Sequence, residues 1–227
     1  AVNAYLETQP LIDAVWGRLT QRIDTYPARI AELSRGFFGA VGPTYFSQRD
    51  AAPILHLPAW LGRNIANDSL LAILEGTALA YASIRVQDNV IDEPTTRGHA
   101  PLMLAANAWL WDARELWGIR GDSVFSRLAR EAWLTFSDET EAERRQLSQL
   151  EYPTEAFTAH ARKCTLAEIP LYAVMASARN WHAVEHVGPL VHALALSYGR
   201  FNDVTGVERD LAAGANTFLL SQARAST

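Results

Sequence analysis

Apolar residues recur three and four positions apart along nearly the whole chain, and no stretch alternates long enough to demand a strand. That spacing stacks apolar side chains on one face of a helix, so the chain is expected to be all-α. Short breaks carry proline or glycine. The pattern predicts helices near 8–22, 28–40, 68–92, 101–117, 122–136, 138–149, 154–179, 188–204 and 207–223. Asn67, Asp68 and Ser69 offer N-caps to the third, and Pro94 and Gly98 punctuate its end. Pro153 and Thr154 open the seventh, which Pro170 is expected to kink. Pro189 is expected in the first turn of the eighth, where proline is tolerated. Residues 41–62 are the least regular part.

Composition narrows the partners. Hydrophobic residues make up 49% and charged residues 20%, the balance of a chain that buries a core. A length of 227 residues fits one domain spanning 1–227. The net charge of −5 provides no basic footprint, which argues against nucleic acid. Cys164 is the only cysteine, so no intrachain disulfide forms, and a reducing cytoplasm is expected. No apolar run reaches the ~18 residues of a bilayer span, so no transmembrane segment is expected. The opening AVNAYLETQP lacks the basic-then-apolar order of a secretion signal.

Two of the predicted helices are apolar almost all round, as core helices are, yet end in polar residues. The first runs through Glu75 and Arg85 to Asp88 and Asp92, followed by Glu93; the second ends in Asn202 and Asp203. Asp88 and Asp92 are four apart and share a helix face. Like charges there repel, and a helix C-terminus disfavours anions. A divalent cation reverses both penalties, and carboxylates suit magnesium. By themselves the two carboxylates say either a metal site or a solvated acidic helix end.

Three segments carry a resemblance. The run Glu75 to Gly98, with Asp88-Asn89-Val90-Ile91-Asp92 and then Thr96-Arg97-Gly98, resembles the first aspartate-rich region of trans-prenyl diphosphate synthases. There the motif reads DDxxD and Arg-Arg-Gly, so Asn89 and Thr96 are departures. The run His160-Ala-Arg162-Lys163-Cys164-Thr165 is similar to the family's helix with a Lys-Thr pair. The run Phe201-Asn202-Asp203 through Gly206, Arg209, Asp210 and Gly214 to Thr217 is similar to the second aspartate-rich region. Asn202, Gly206 and Asp210 also have the spacing of the Asn-Ser-Glu motif of terpene cyclases, with Gly206 lacking the side-chain oxygen.

The resemblance implies an isoprenoid-synthase-like helical bundle around a central cavity, in the class I isoprenoid (terpenoid) synthase superfamily. It implies magnesium held by Asp88, Asp92, Asn202, Asp203 and Asp210. It implies catalytic contacts from Arg97 and Lys163 to a prenyl diphosphate, with Tyr81, Asn89, Arg162, Phe201 and Arg209 also at the substrate. It weakly implies a homodimer. Metal and cationic side chains would stabilise the departing diphosphate, and apolar walls would protect the allylic cation from water. Leu71, Leu74, Thr77, Ala78 and Tyr81 are expected to line that tunnel; Tyr81, Trp109 and Phe201 are the aromatic candidates beside a cation.

Some family features are missing. Chain-elongating members carry a Gly-Lys-Arg segment that binds isopentenyl diphosphate, and here Arg63 is the nearest basic candidate. Members also continue with more C-terminal helices, so a short form or a fragment is expected. Terpene cyclisation, which needs one diphosphate, and a non-catalytic subunit of a heteromeric prenyl synthase therefore remain open beside chain elongation. His182-Ala-Val-Glu185-His186 fits the H-x-x-E-H pattern of zinc hydrolases, but Gly188-Pro189 follows at once, and the segment reads better as a connection between helices.

Overall fold

The computed structural model describes residues 2–47, 52–92, 99–118, 122–147, 149, 151–212 and 214–226, without the side chains at 2–6, 42–47, 52, 53, 92 and 99. Among them every regular element is helical and no strand occurs. The chain divides into two compact units, Ala1–Phe125 with Ala173–Asn180, and Ser126–Tyr172 with Trp181–Thr227.

The first unit holds α1 (Val2–Ile23), α2 (Ala28–Ser47), α3 (Ala52–Leu61), α4 (Asn67–Asp92) and α5 (His99–Leu116). The helix α3 falls in the stretch the sequence marks as least regular, and its high apolar content explains it: Leu55 and Ala59 are fully buried. Helix α4 is the spine. It packs most extensively against α5 and also against α1 and α3. Ile12, Val15, Leu19 and Ile23, spaced three and four apart, form the buried stripe of α1. Gly76 lets α5 approach closely, since a Cβ there would sit 3.1 Å from the carbonyl oxygen of Ala113. Further along, Ser83 Oγ donates to the carbonyl of Ala106 at 2.8 Å, tying α4 to α5. By length and composition α4 is apolar enough to cross a membrane, but 72% of its most apolar window is buried inside the fold.

One charge lies inside this unit. Glu75, 1% exposed, accepts from Arg18 Nε at 2.8 Å and from Arg22 Nε. Arg22 continues to Asp112 on α5 at 3.3 Å, and the Tyr26 hydroxyl donates to the same carboxylate at 2.9 Å. Burial, and then the charge of Asp112, push the Tyr26 phenol up.

The second unit takes most of α6 (Ser123–Gln146), then α7 (Thr154–His160), a 3-10 segment (Ala161–Glu168), the start of α8 (Ile169–Ala178), α9 (Val184–Ala212) and α10 (Phe218–Ala225). Three sequence expectations change here. Helix α6 runs through Ser137 and Asp138, where two helices are expected; Ser137 Oγ bonds back to the carbonyl of Trp133 at 3.0 Å and leaves the helix intact. The expected helix 154–179 is interrupted by the 3-10 segment ahead of Pro170, so proline sits in the first turn of α8 and kinks nothing. Helix α9 carries Pro189 inside it and passes through Gly206, where a turn is expected. The turn comes at Gly214, φ +66°, with Ala215 N–H on the carbonyl of Asp210 and Gly214 N–H on that of Leu211. That bonding pattern satisfies the last carbonyls of a helix and calls for a left-handed residue.

Arg179 ends α8 the same way, at φ +50°, with Asn180 N–H on the carbonyl of Met175. A side chain in that region is strained, so Arg179→Gly is expected to raise stability by roughly 0.5–1 kcal/mol. Glu75→Ala is expected to cost about 2–3 kcal/mol, less than the ~3–5 kcal/mol of a fully buried pair, because both guanidinium groups reach water. Urea unfolding of the two variants against wild type checks both.

Candidate functional site

The expected site residues fall in both units. At the end of α4, Asp88 is half-exposed and accepts from Arg85 Nη1 at 2.9 Å, one helical turn back. Tyr81 and Asn89 are half-buried on the same helix. The side chain of Asp92, and Glu93 and Arg97 entirely, lie outside the described residues. The positions expected to line a tunnel are close-packed: Leu74 and Ala78 are fully buried, and Leu71 is nearly so. Thr77 Oγ1 donates to the carbonyl of Ile73 at 2.7 Å and accepts from Trp117 Nε1 at 3.3 Å. Trp109, expected as a candidate cation-facing ring, is fully buried between Phe37 and Phe38 and donates to Ser34 Oγ at 2.9 Å. A cavity of about 360 Å³ opens elsewhere, between α1, α3 and α4, beside Leu11, Ala59 and Leu70. Arg63 stands at it, paired with Glu7 at 3.0 Å.

The second unit gathers the other two motifs. The 3-10 segment presents its basic residues to α6, where Glu139 and Glu143 stand one turn apart. Lys163 Nζ donates to Glu143, and Arg162 lies 3.7 Å from Glu139. His160, nearly buried, meets the same Glu139 at 3.2 Å through Nδ1. Thr165 Oγ1 donates to the carbonyl of Ala132 on α6 at 2.8 Å. Buried Glu168 accepts from the Tyr172 hydroxyl at 2.6 Å; burial raises its carboxyl, and the tyrosine and Arg162 work against that rise.

Helix α9 packs one face on this segment. Val187, Val191, Ala195, Gly206 and Asp210 are buried along it, and Asp203 is half-buried beside them. Gly199 belongs to the same face, where a Cβ would stand 3.2 Å from the Phe157 ring. Asn202 and Phe201 point away and are exposed. The expected trio of Asn202, Asp203 and Asp210 is therefore split: two carboxylates share the packed face and the amide does not. Asp210 accepts from Arg209 Nε at 2.9 Å. Gly206 makes room for that pair, because a Cβ there would meet Arg209 Nη2 at 2.7 Å.

Asp203 has a structural job as well. Its Oδ2 accepts the Leu219 N–H at 3.0 Å in the first turn of α10, whose own N-cap Thr217 makes no side-chain cap bond. A carboxylate is favourable at a helix N-terminus. Even so, burial first, and then the negative charges of Asp210 and Glu143, raise the Asp203 carboxyl above its ordinary range, with the Leu219 amide and Lys163 pulling the other way. Arg162 and Lys163 thus pair with Glu139 and Glu143, Arg209 pairs with Asp210, and Asp203 feels the charges of Asp210, Glu143 and Lys163. The donors are hard oxygens, the kind magnesium takes. Among the described residues, however, no three His, Cys, Asp or Glu side chains are gathered around one point.

Sequence reasoning misses Glu139 and Glu143. They sit in an acid-rich, base-rich stretch that reads as a solvated helix face, and only the fold sets them opposite Lys163. The H-x-x-E-H pattern forms no site: His182 lies in a turn before α9, and His186 and Glu185 are exposed in its first turn.

The raised Asp203 carboxyl has a consequence for stability. The native state holds its proton more tightly than the unfolded chain, so ionised Asp203 costs stability above the folded pKa, and the cost vanishes as pH falls to the unfolded value. Asn caps a helix as well as Asp does. Asp203→Asn is therefore expected to raise Tm at pH 7, with the gain closing as pH falls through the raised pKa. Thermal melts from pH 7 to pH 3 check this.

In sequence, the chain matches no protein-family model and shows no significant similarity to a curated protein.

Proposed function

We propose that this chain is a class I isoprenoid synthase that ionises an allylic prenyl diphosphate with magnesium, for prenyl transfer or terpene cyclisation. The observation that supports this is the packing of two motif segments: α9, which carries Asp203 and Asp210, lies against the 3-10 segment that carries Lys163. Residues that merely decorated a surface would not need to converge there.

In this reading Asp203 and Asp210 of the second unit, and Asp88 and Asp92 of α4 in the first, would each serve as magnesium ligands. Bound there, the metal supplies Lewis-acid stabilisation of charge on the phosphate oxygens. The chain's own cations do the rest. Lys163 and Arg209 exchange their carboxylate partners for phosphate oxygens, where charge-assisted bonds are strong. The C1–O bond then breaks heterolytically, its electron pair leaves with the diphosphate, and an allylic cation remains. The lack of a Gly-Lys-Arg segment favours an internal double bond over isopentenyl diphosphate as the group that attacks it.

A second reading, a non-catalytic subunit of a heteromeric prenyl synthase, has one observation of its own. Lys163, Arg162 and Arg209 each already hold a carboxylate of the protein. In that reading the ion pairs are the finished structure.

The two separate in one experiment. The purified chain is incubated with geranyl, farnesyl and geranylgeranyl diphosphates, with and without isopentenyl diphosphate and magnesium, and diphosphate release is measured. The enzyme reading expects magnesium-dependent release, reduced about 10²–10³-fold in Asp88→Ala, Asp203→Asn and Asp210→Asn, as for removal of a single group that stabilises developing charge. Absence of turnover by the wild-type chain, or equal turnover in all three variants, sinks it.

A further inference from the structure

The cavity of about 360 Å³ in the first unit, between α1, α3 and α4, contains no residue of the three motif segments. Its volume is at the lower end of the ~300–1,000 Å³ of ligand pockets, so it suits a small molecule. The inner wall is aliphatic: Ala59 is fully buried, Leu70 nearly so and Leu11 half-buried. The rim is charged, with Arg63 Nη2 donating to Glu7 Oε2 at 3.0 Å. Buried Thr8, next to Glu7 on α1, adds a hydroxyl that stands 2.5 Å from Nδ1 of buried His56. The apolar surface is therefore short, which suits a branched aliphatic group and not a long hydrocarbon chain.

The turn from α3 to α4 builds the charged edge. Gly62 N–H closes on the Pro58 carbonyl at 2.8 Å, and Ile65 N–H on the Gly62 carbonyl at 3.1 Å. A Cβ at Gly62 would stand 2.9 Å from the Pro58 carbonyl oxygen and 2.5 Å from Leu70 Cδ1, so the close approach calls for glycine. Arg63 thus stands on a hydrogen-bonded turn, while its side chain is more than half exposed.

Charge then selects the ligand. Arg63 and Glu7 together are neutral, so a simple anion is repelled by Glu7 and a simple cation by Arg63. A molecule with both charges satisfies both. The existing pair is mostly exposed, and opening such a pair costs little. Its bond uses one guanidinium nitrogen, and a carboxylate can take two of them at once. We propose that this cavity binds a free α-amino acid with an aliphatic side chain, its carboxylate on Arg63, its ammonium on Glu7 and its side chain against Leu11, Ala59 and Leu70. Such a molecule carries its two charges on one carbon, matching a guanidinium and a carboxylate one hydrogen bond apart. The inference does not depend on the function proposed above.

Isothermal titration of the full chain with L-leucine tests it. One molecule is expected to bind per chain, with a dissociation constant of roughly 0.1–1 mM for a ligand this small. 4-Methylpentanoate lacks the ammonium, isopentylamine lacks the carboxylate and glycine lacks the side chain; each is expected to bind about tenfold more weakly or worse. Arg63→Met and Glu7→Gln are expected to weaken L-leucine by a similar factor, with unchanged helical circular dichroism. Leu11→Trp, which fills the cavity from a half-buried position, is expected to abolish binding. No saturable binding of L-leucine by about 20 mM overturns the proposal. So does 4-methylpentanoate or pyrophosphate binding as tightly as L-leucine, which would make the cavity an anion site. L-leucine binding that Arg63→Met or Leu11→Trp leaves unchanged overturns it likewise. The ligand series on wild type decides the matter even where a variant fails to fold.

Discussion

A carboxylate inside an apolar helix has to be neutralised where it stands, and Glu75 sets that requirement for the first unit. Ionised and alone in the core it would cost several kcal/mol or more. The cost is met by Arg18 and Arg22, one turn apart on α1, which reach it while keeping part of their guanidinium groups in water. Arg22 and Tyr26 then share Asp112 on α5. Three helices are thereby held in one register by a few charge-assisted bonds. The ion network adds directional contacts to the close apolar packing around it, such as α5 against Gly76 of α4.

The second unit depends on side chains for a different reason. Its 3-10 segment has poorer backbone hydrogen bonds than an α-helix and seldom runs this long unaided. Bonds from outside hold it: Thr165 to the backbone of α6, His160 and Lys163 to Glu139 and Glu143, and Glu168 to Tyr172. Within it, Arg162 and Lys163 meet Glu139 and Glu143 of α6.

Charge in this second cluster is not arranged for stability. Burial first, and then the charges of Asp210 and Glu143, lift the Asp203 carboxyl, although the Leu219 amide and Lys163 pull the other way. Like charges kept close together are frequent at functional sites, where a ligand of opposite sign completes the set. Among the described residues these carboxylates do not form a gathered metal centre.

The sequence by itself determined that every regular element among the described residues is helical, because apolar spacing is a local property that tertiary contacts do not alter. It also determined α4 almost to the residue, since Asn67 and Asp68 mark its start and its all-round apolar character demands a core position. It did not reveal that α6 and α9 run unbroken. Ser137 and Gly206 have breaker chemistry, and whether a breaker breaks depends on what its side chain, or the lack of one, meets in space. The same limit holds for the site. The sequence placed Asp203 and Asp210 in one motif but on two separate helices, and only the unbroken α9 put them on a shared face, two turns apart. Which carboxylates answer Lys163, that Asn202 turns outward, and that Asp203 also caps α10 were decided by packing between segments distant in the chain. Charge pairing acts through space, and a sequence records only distance along the backbone.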